Sequence, residues 1–210
     1  MILFPDKVSA LEDFLEKHVF HRWQDDLMTI DHTYKEQQAD IEAGFVSVFD
    51  TVCRQAAGFQ DQGGKGGIRY LYFSFMRTSL LDNRPCYRIE AYDENWFMDT
   101  ADCMAEWQPD FIFDPLLLRM AALEETRKPY ARRITSADLD RIKQIEAVKY
   151  HLLTAEFIRN MLPRLLACGG YERMSKSPKI AFLAGEYRDQ CELLHGSLDE
   201  DSSATGADNR

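Results

Sequence analysis

The chain has 210 residues, 45% of them hydrophobic and 12% aromatic, enough to fill one well-packed core. Its formal net charge of -10 works against non-specific attraction to nucleic acid or anionic lipid, so contact with a polyanion would have to come from a local basic patch. Five cysteines at wide spacing, Cys53, Cys86, Cys103, Cys168 and Cys191, include no CxxC pair; they signal neither a disulfide framework nor a zinc knuckle and fit a reducing compartment.

No apolar run approaches the ~18 to 20 residues that would span a bilayer, and the start, Met1 to Asp6, turns acidic within a few positions. The chain therefore reads as complete and cytoplasmic, with no membrane partner. From Asp6 to about Ala57 the pattern is helical: Val8, Leu11, Leu15 and Val19 recur at three- and four-residue steps, as do Phe45, Val48, Phe49 and Val52. Polar residues from Gln37 to Asp40 divide this stretch into two helices or kink one long one.

Gly63-Gly64-Lys65-Gly66-Gly67 then breaks the helical texture. It lacks the Lys-Ser/Thr ending and onward helix of a Walker-type phosphate cradle, and reads as a hinge into a hairpin. Residues 68 to 79 run out, Leu81 to Pro85 turn, and Cys86 to Tyr92 run back, with a third strand expected near Trp96 to Met98. Alternation places Leu71, Phe73 and Phe75 on one face and Tyr70, Tyr72 and Ser74 on the other. A two-stranded sheet is not stable alone, so helices must cover it.

Asp114-Pro115 signals a helix start running to about Thr126. Thr135 and Asp138 make a capping-box pattern opening the longest helix, which carries Leu139, Ile142, Ile145, Val148, Leu152 and Ile158, bends at Pro163 and ends at Gly169-Gly170. A final helix is expected over Pro178 to His195, followed by a disordered acidic tail, residues 196–210. The prediction is thus a single α+β domain over residues 1–195, mostly helical, with a small antiparallel sheet at about 68–98 between N- and C-terminal helices.

Four constellations carry chemical interest. His18, His21 and Asp25 fall at offsets 0, 3 and 7, one stripe of a helix, and two imidazoles with a carboxylate suit a zinc or iron site. Arg188 and His195 lie seven positions apart on the expected final helix. The stretch Arg188-Asp189-Gln190-Cys191-Glu192-Leu193-Leu194-His195 resembles the Arg-polar-x(4-6)-His signature of HEPN-type ribonucleases; the resemblance implies metal-independent RNA cleavage, Arg188 holding a phosphate and His195 moving a proton. Arg173-Met174-Ser175-Lys176-Ser177 resembles the Lys-Met-Ser-Lys-Ser loop of class I aminoacyl-tRNA synthetases, but the companion His-Ile-Gly-His element and a Rossmann pattern are missing. The basic run Arg127 to Arg133, with Arg132 and Arg133 at its end, could join the hairpin cations in one face able to meet phosphates or an acidic partner.

Aromatic and arginine enrichment around residues 68 to 97 is interface-like. The reading is a non-catalytic protein-interaction or regulatory module that needs no cofactor and binds a protein partner through Arg69, Tyr70, Tyr72, Tyr87, Arg88, Arg132 and Arg133. The Arg188/His195 ribonuclease and the His18/His21/Asp25 metal site are the alternatives.

Overall fold

Alternation after the glycine loop forms strand β1, Ile68–Phe75, which pairs antiparallel with β2, Tyr87–Tyr92, from Tyr70 opposite Tyr92 to Phe75 opposite Tyr87. These belong to the computed structural model of the chain, which describes residues 6–197. Met1 to Pro5, and the expected tail from Leu198 onward, lie outside the described residues.

The chain is α+β and predominantly helical. Its Cα packing divides into two compact units. Unit 1 takes residues up to Ile41, Arg77–Pro85 and Gln108–Thr154; unit 2 takes Glu42–Met76, Cys86–Trp107 and residues from Ala155 on.

Unit 2 holds a five-stranded sheet in the order β3-β2-β1-β4-β5, where β3 is Met104–Trp107, β4 Lys176–Glu186 and β5 Cys191–Gly196. Here the sequence expectation of a final helix is corrected: Pro178 to His195 forms a strand hairpin, and β4 lies parallel beside β1. Ile180 to Gly185 is an unbroken small and apolar run, and such a run fits a buried central strand as well as a helix. The sheet is accordingly mixed, whereas the expected hairpin is purely antiparallel. The third strand also shifts: Trp96–Met98 is a 3-10 turn, and the strand paired to β2 begins at Met104.

Helical segments from both halves of the chain cover one sheet face. Helix α2, Trp23–Asp61, contributes Phe45, Phe49, Val52, Cys53 and Ala56, spaced to bury one stripe. Phe45 and Phe49 lie 6.0 Å from Phe73, and Phe157, on helix α5 (Ser136–Leu166), stacks on Trp107 at 5.6 Å. The opposite face buries Tyr72, Ala181 and Leu183 beneath Trp96 and Phe97, with Tyr70 and Tyr92 packed alongside.

The glycine loop anchors that aromatic cover. Gly63 takes φ +71°, a region open to glycine, and a Cβ on Gly67 would sit 3.3 Å from the Ser177 amide nitrogen. Between them the Lys65 ammonium is wholly buried, pairs with Asp99 and donates to the Ala101 carbonyl at 2.8 Å. Asp99 also accepts from the Asp93 and Ala101 amides, both at 3.0 Å, which closes residues 93 to 101 into a loop carrying Trp96 and Phe97.

Unit 1 starts with helix α1, Lys7–Phe14, capped by the Asp6 carboxylate accepting from the Ser9 amide at 2.8 Å. A π-helical turn, Leu15–Val19, follows, and Phe20 turns extended. His21 then takes φ +66°, so α2 starts afresh at Trp23. The helical pattern thus breaks at residues 20–22, a place with no sequence signal, while the polar stretch at Gln37 appears as a kink within α2 (φ -117°, ψ 17°). Helix α3 is the short Arg77–Leu81. Helix α4, Asp110–Thr126, starts a turn before the expected Asp114, after Pro109, and tolerates Pro115 in its early turns.

The capping box of α5 forms as read. The Thr135 amide donates to Asp138 Oδ2 at 2.9 Å and the Asp138 amide to Thr135 Oγ1 at 3.2 Å. Beyond the end of α5, Gly169–Arg173 forms a short helix, α6.

Asp99 yields a stability prediction. Burial pushes its carboxyl up, but the Lys65 ammonium and the two amides outweigh that and hold it below its ordinary value. A depressed folded-state carboxylate stabilises the fold above the unfolded value of about 3.9, and this contribution is lost as pH falls through the lower folded value. Asp99→Asn strands the buried Lys65 charge, so it should cost about 3–5 kcal/mol near neutrality. Urea unfolding should show that gap narrowing as pH drops below about 4; a pH-independent gap would contradict the ion pair.

Candidate functional site

The hairpin side chains read as a recognition surface are mostly core. Tyr72 and Tyr87 are 1% and 0% exposed, and Arg69 is 4% exposed, donating to the Ser197 carbonyl at 3.0 Å. Tyr70 is half-buried with its edge against Trp96 at 4.2 Å, while Arg88 pairs with Glu90 at 3.1 Å and lies over the Tyr187 ring. Arg132 is exposed and Arg133 half-buried; both belong to unit 1, the hairpin to unit 2.

Arg188 and His195 do not share a helix. Arg188 sits in the β4–β5 turn at φ +57°, its guanidinium 5.3 Å from the Phe97 and Tyr187 ring centres. His195 is on β5, opposite Phe182. The helical alignment behind the ribonuclease comparison is therefore absent.

The stripe of His18, His21 and Asp25 is also broken, because the π-turn and the His21 turn interrupt the helix. His18 and Asp25 nevertheless line one cleft of about 420 Å³, together with Arg22, Asp26 and Arg119. Arg119 donates to Asp26 at 2.9 Å, and to Glu146 and the Tyr150 hydroxyl at 3.1 Å each. Two guanidinium groups at these walls disfavour a cation, and among the described residues no group of three or more His, Cys, Asp or Glu side chains is placed to hold a metal.

His18 belongs to a second cleft as well, an open one of about 790 Å³ between α1 and the 3-10 turn Lys128–Arg133. The Tyr130 hydroxyl donates to Asp13 Oδ2 at 2.9 Å and lies 3.3 Å from His18 Nε2. The Lys17 ammonium, hydrogen-bonded to Asp13, is the largest cause holding that carboxyl below its ordinary value, and Tyr130 adds to it. An ionised carboxylate only accepts, so the single phenolic proton must point at Asp13. The contact with His18 then requires Nε2 to donate. Buried Phe14 seats both rings, 5.3 Å from His18 and 5.2 Å from Tyr130. The basic run is largely self-neutralised: Arg127 pairs with Glu124 and Lys128 with Glu125.

The third feature is apolar. Large hydrophobic side chains that stay exposed concentrate in unit 1, with Val8, Phe20, Met28, Leu81, Leu118, Ile145, Val148 and Leu152 there, against Phe59, Met98 and Leu193 in unit 2. Ile145, Val148 and Leu152 stand at i, i+3 and i+7 on α5, 59%, 43% and 57% exposed. They come from the stripe expected to face the core, of which Leu139, Ile142 and Ile158 are buried.

Neither protein-family models, nor curated proteins, nor solved structures match this chain. Function must therefore be argued from its own side chains.

The sequence brought His18 and the Arg127–Arg133 run to notice separately, but nothing in it joins them, because Tyr130 and His18 are 112 positions apart. The π-turn was equally silent, although such turns recur at functional sites.

Tyr130→Phe tests the network. Without the phenolic donor the Asp13 carboxyl should titrate higher, nearer its ordinary value, in a carbon-13 carboxyl titration. The same Asp13 curve in both proteins would show that the hydroxyl does not serve it.

Proposed function

We propose that the chain is a protein-binding module that docks an amphipathic helix on the exposed stripe of α5. The observation carrying this reading is the run Ile145, Val148 and Leu152, three large apolar side chains in helical register on a helix whose other faces are occupied. Because about half of each side chain is still in water, covering the rest would supply about 1 kcal/mol per side chain, so a partner has a ready driving force.

Charge selects the partner. In this part of α5, Asp138 serves the helix cap, Glu146 is buried on Arg119, and Asp140 lies beside the Lys143 ammonium at 3.8 Å. The exposed Arg141, one turn before Ile145, extends the stripe with a cation. The complementary ligand is a helix with apolar anchors at i, i+3 and i+7 and acidic flanks. Recognition has thereby moved from the hairpin, whose aromatics are packed away, to unit 1.

The double variant Ile145→Asp, Leu152→Asp separates docking from folding. Both sites are mostly exposed, so the two substitutions together should keep stability within roughly 1 kcal/mol of wild type. In quantitative affinity capture, wild type should retain a stoichiometric partner that the variant loses while still unfolding in one cooperative transition. Equal retention by both proteins would remove the reading, and a wild-type dimer dissolved by the variant would assign the stripe to a second copy of the chain instead.

A further inference from the structure

We propose that Cys53 and Cys168 are a redox-active pair, which a peroxide closes into an intramolecular disulfide that fastens α2 to the start of α6. The pair lies wholly within unit 2 and owes nothing to the α5 stripe. All five cysteines are free thiols, but these two are brought into contact: the Cys53 S–H donates a hydrogen bond to the Cys168 sulfur.

The backbone builds that contact. Cys53 belongs to the buried stripe of α2, and the chain that leaves α5 is pressed against it. A Cβ on Gly170 would sit 2.6 Å from the Asp50 carbonyl oxygen and 3.0 Å from Cys53 Cβ, so glycine is required there. The Gly170 amide donates to Asp50 Oδ1 at 2.5 Å, which holds Cys168, two residues earlier, beside Cys53.

Burial ranks the two sulfurs. Cys53 is 0% exposed and Cys168 9%, so a water-sized oxidant meets Cys168 first. The surroundings agree with that order. The Cys53 hydrogen bond and the Tyr171 amide hold the Cys168 thiol below its ordinary value against burial and Asp50, whereas burial pushes Cys53, Cys103 and Cys191 up. The Arg54 guanidinium adds positive charge on that side, 3.4 Å from where a Gly169 Cβ would lie, while it pairs with Asp50.

The chemistry has two steps. The Cys168 thiolate attacks one peroxide oxygen: the S–O bond forms, the O–O bond breaks, and hydroxide departs and recovers as water the proton that Cys168 released. Sulfur is thereby oxidised to a sulfenic acid and the peroxide reduced. Cys53 then attacks the Cys168 sulfur, the S–S bond forms, the S–O bond breaks, and the leaving hydroxide takes the Cys53 proton as a second water. Two thiols and one hydrogen peroxide give one disulfide and two waters.

The test treats the full chain with hydrogen peroxide, caps the remaining thiols with N-ethylmaleimide in urea and maps every cysteine by mass spectrometry. Cys53 and Cys168 should lose capping together, a peptide joining them should appear, and dithiothreitol should abolish it. In Cys53→Ala the reaction should stop at the Cys168 sulfenic acid, trapped by dimedone, and in Cys168→Ser residue 53 should stay reduced. The wild-type map needs no variant, so a substitution that fails to fold leaves the test standing. Absence of the joined peptide at peroxide levels that oxidise the exposed Cys191 would overturn the pair, as would either cysteine bonding to a different one. Dimedone captured at Cys53 in folded Cys168→Ser would overturn the order of attack.

Discussion

A lysine in a loop of glycines would ordinarily point into water, yet Lys65 is wholly buried, and much of unit 2 is arranged to accommodate it. An ammonium out of water needs a carboxylate and further acceptors, supplied here by Asp99 and the Ala101 carbonyl. Meeting that requirement draws residues 93 to 101 into a closed loop, and the loop lays Trp96 and Phe97 over the outer face of the sheet. An ion pair thereby decides that the aromatics of the hairpin are core. Without that cover, Tyr70, Tyr72 and Tyr92 would form an exposed apolar sheet face of the kind that seeks a partner.

The two units consequently differ in what their surfaces can do. Unit 2 is closed on both sheet faces, by helices on one and by the Trp96 loop on the other. Unit 1 keeps its apolar side chains in the open and holds the clefts around His18. The arginine and histidine that resembled a nuclease pair are separated by a strand turn, one between aromatic rings and the other in a sheet. His18 packs on its helical neighbour Phe14 but meets the Tyr130 hydroxyl from 112 residues downstream.

What could be read from residues alone was local. Thr135 and Asp138 announce their helix start because a capping box needs only four consecutive residues. The placing of Leu71 and Phe73 on one face follows from two-residue alternation, but the β1–β2 register does not, because the strand expected to run to residue 79 stops at Phe75 and Arg77–Leu81 turns helical. Where signals were ambiguous the local reading failed. Ile180 to Gly185 lacks both alternation and helical periodicity because both faces of β4 are buried, and the turn at Arg188 lacks the glycine or asparagine that usually marks a positive φ. Asp114-Pro115 reads as a helix start, but the chain had already turned helical at Asp110.

By itself the sequence determined the α+β class, a strand hairpin after the glycine loop and the cap of α5, since each rests on interactions between residues near one another in the chain. Tertiary structure alone decided that Lys65 is buried, that the last strands join the sheet, that His18 meets Tyr130, and that Ile145, Val148 and Leu152 face outward. The reason is common to all four. A side chain's pattern along the chain tells which residues can share a face, but whether that face meets protein or water depends on segments far away in sequence, and burial free energy is settled only when they arrive.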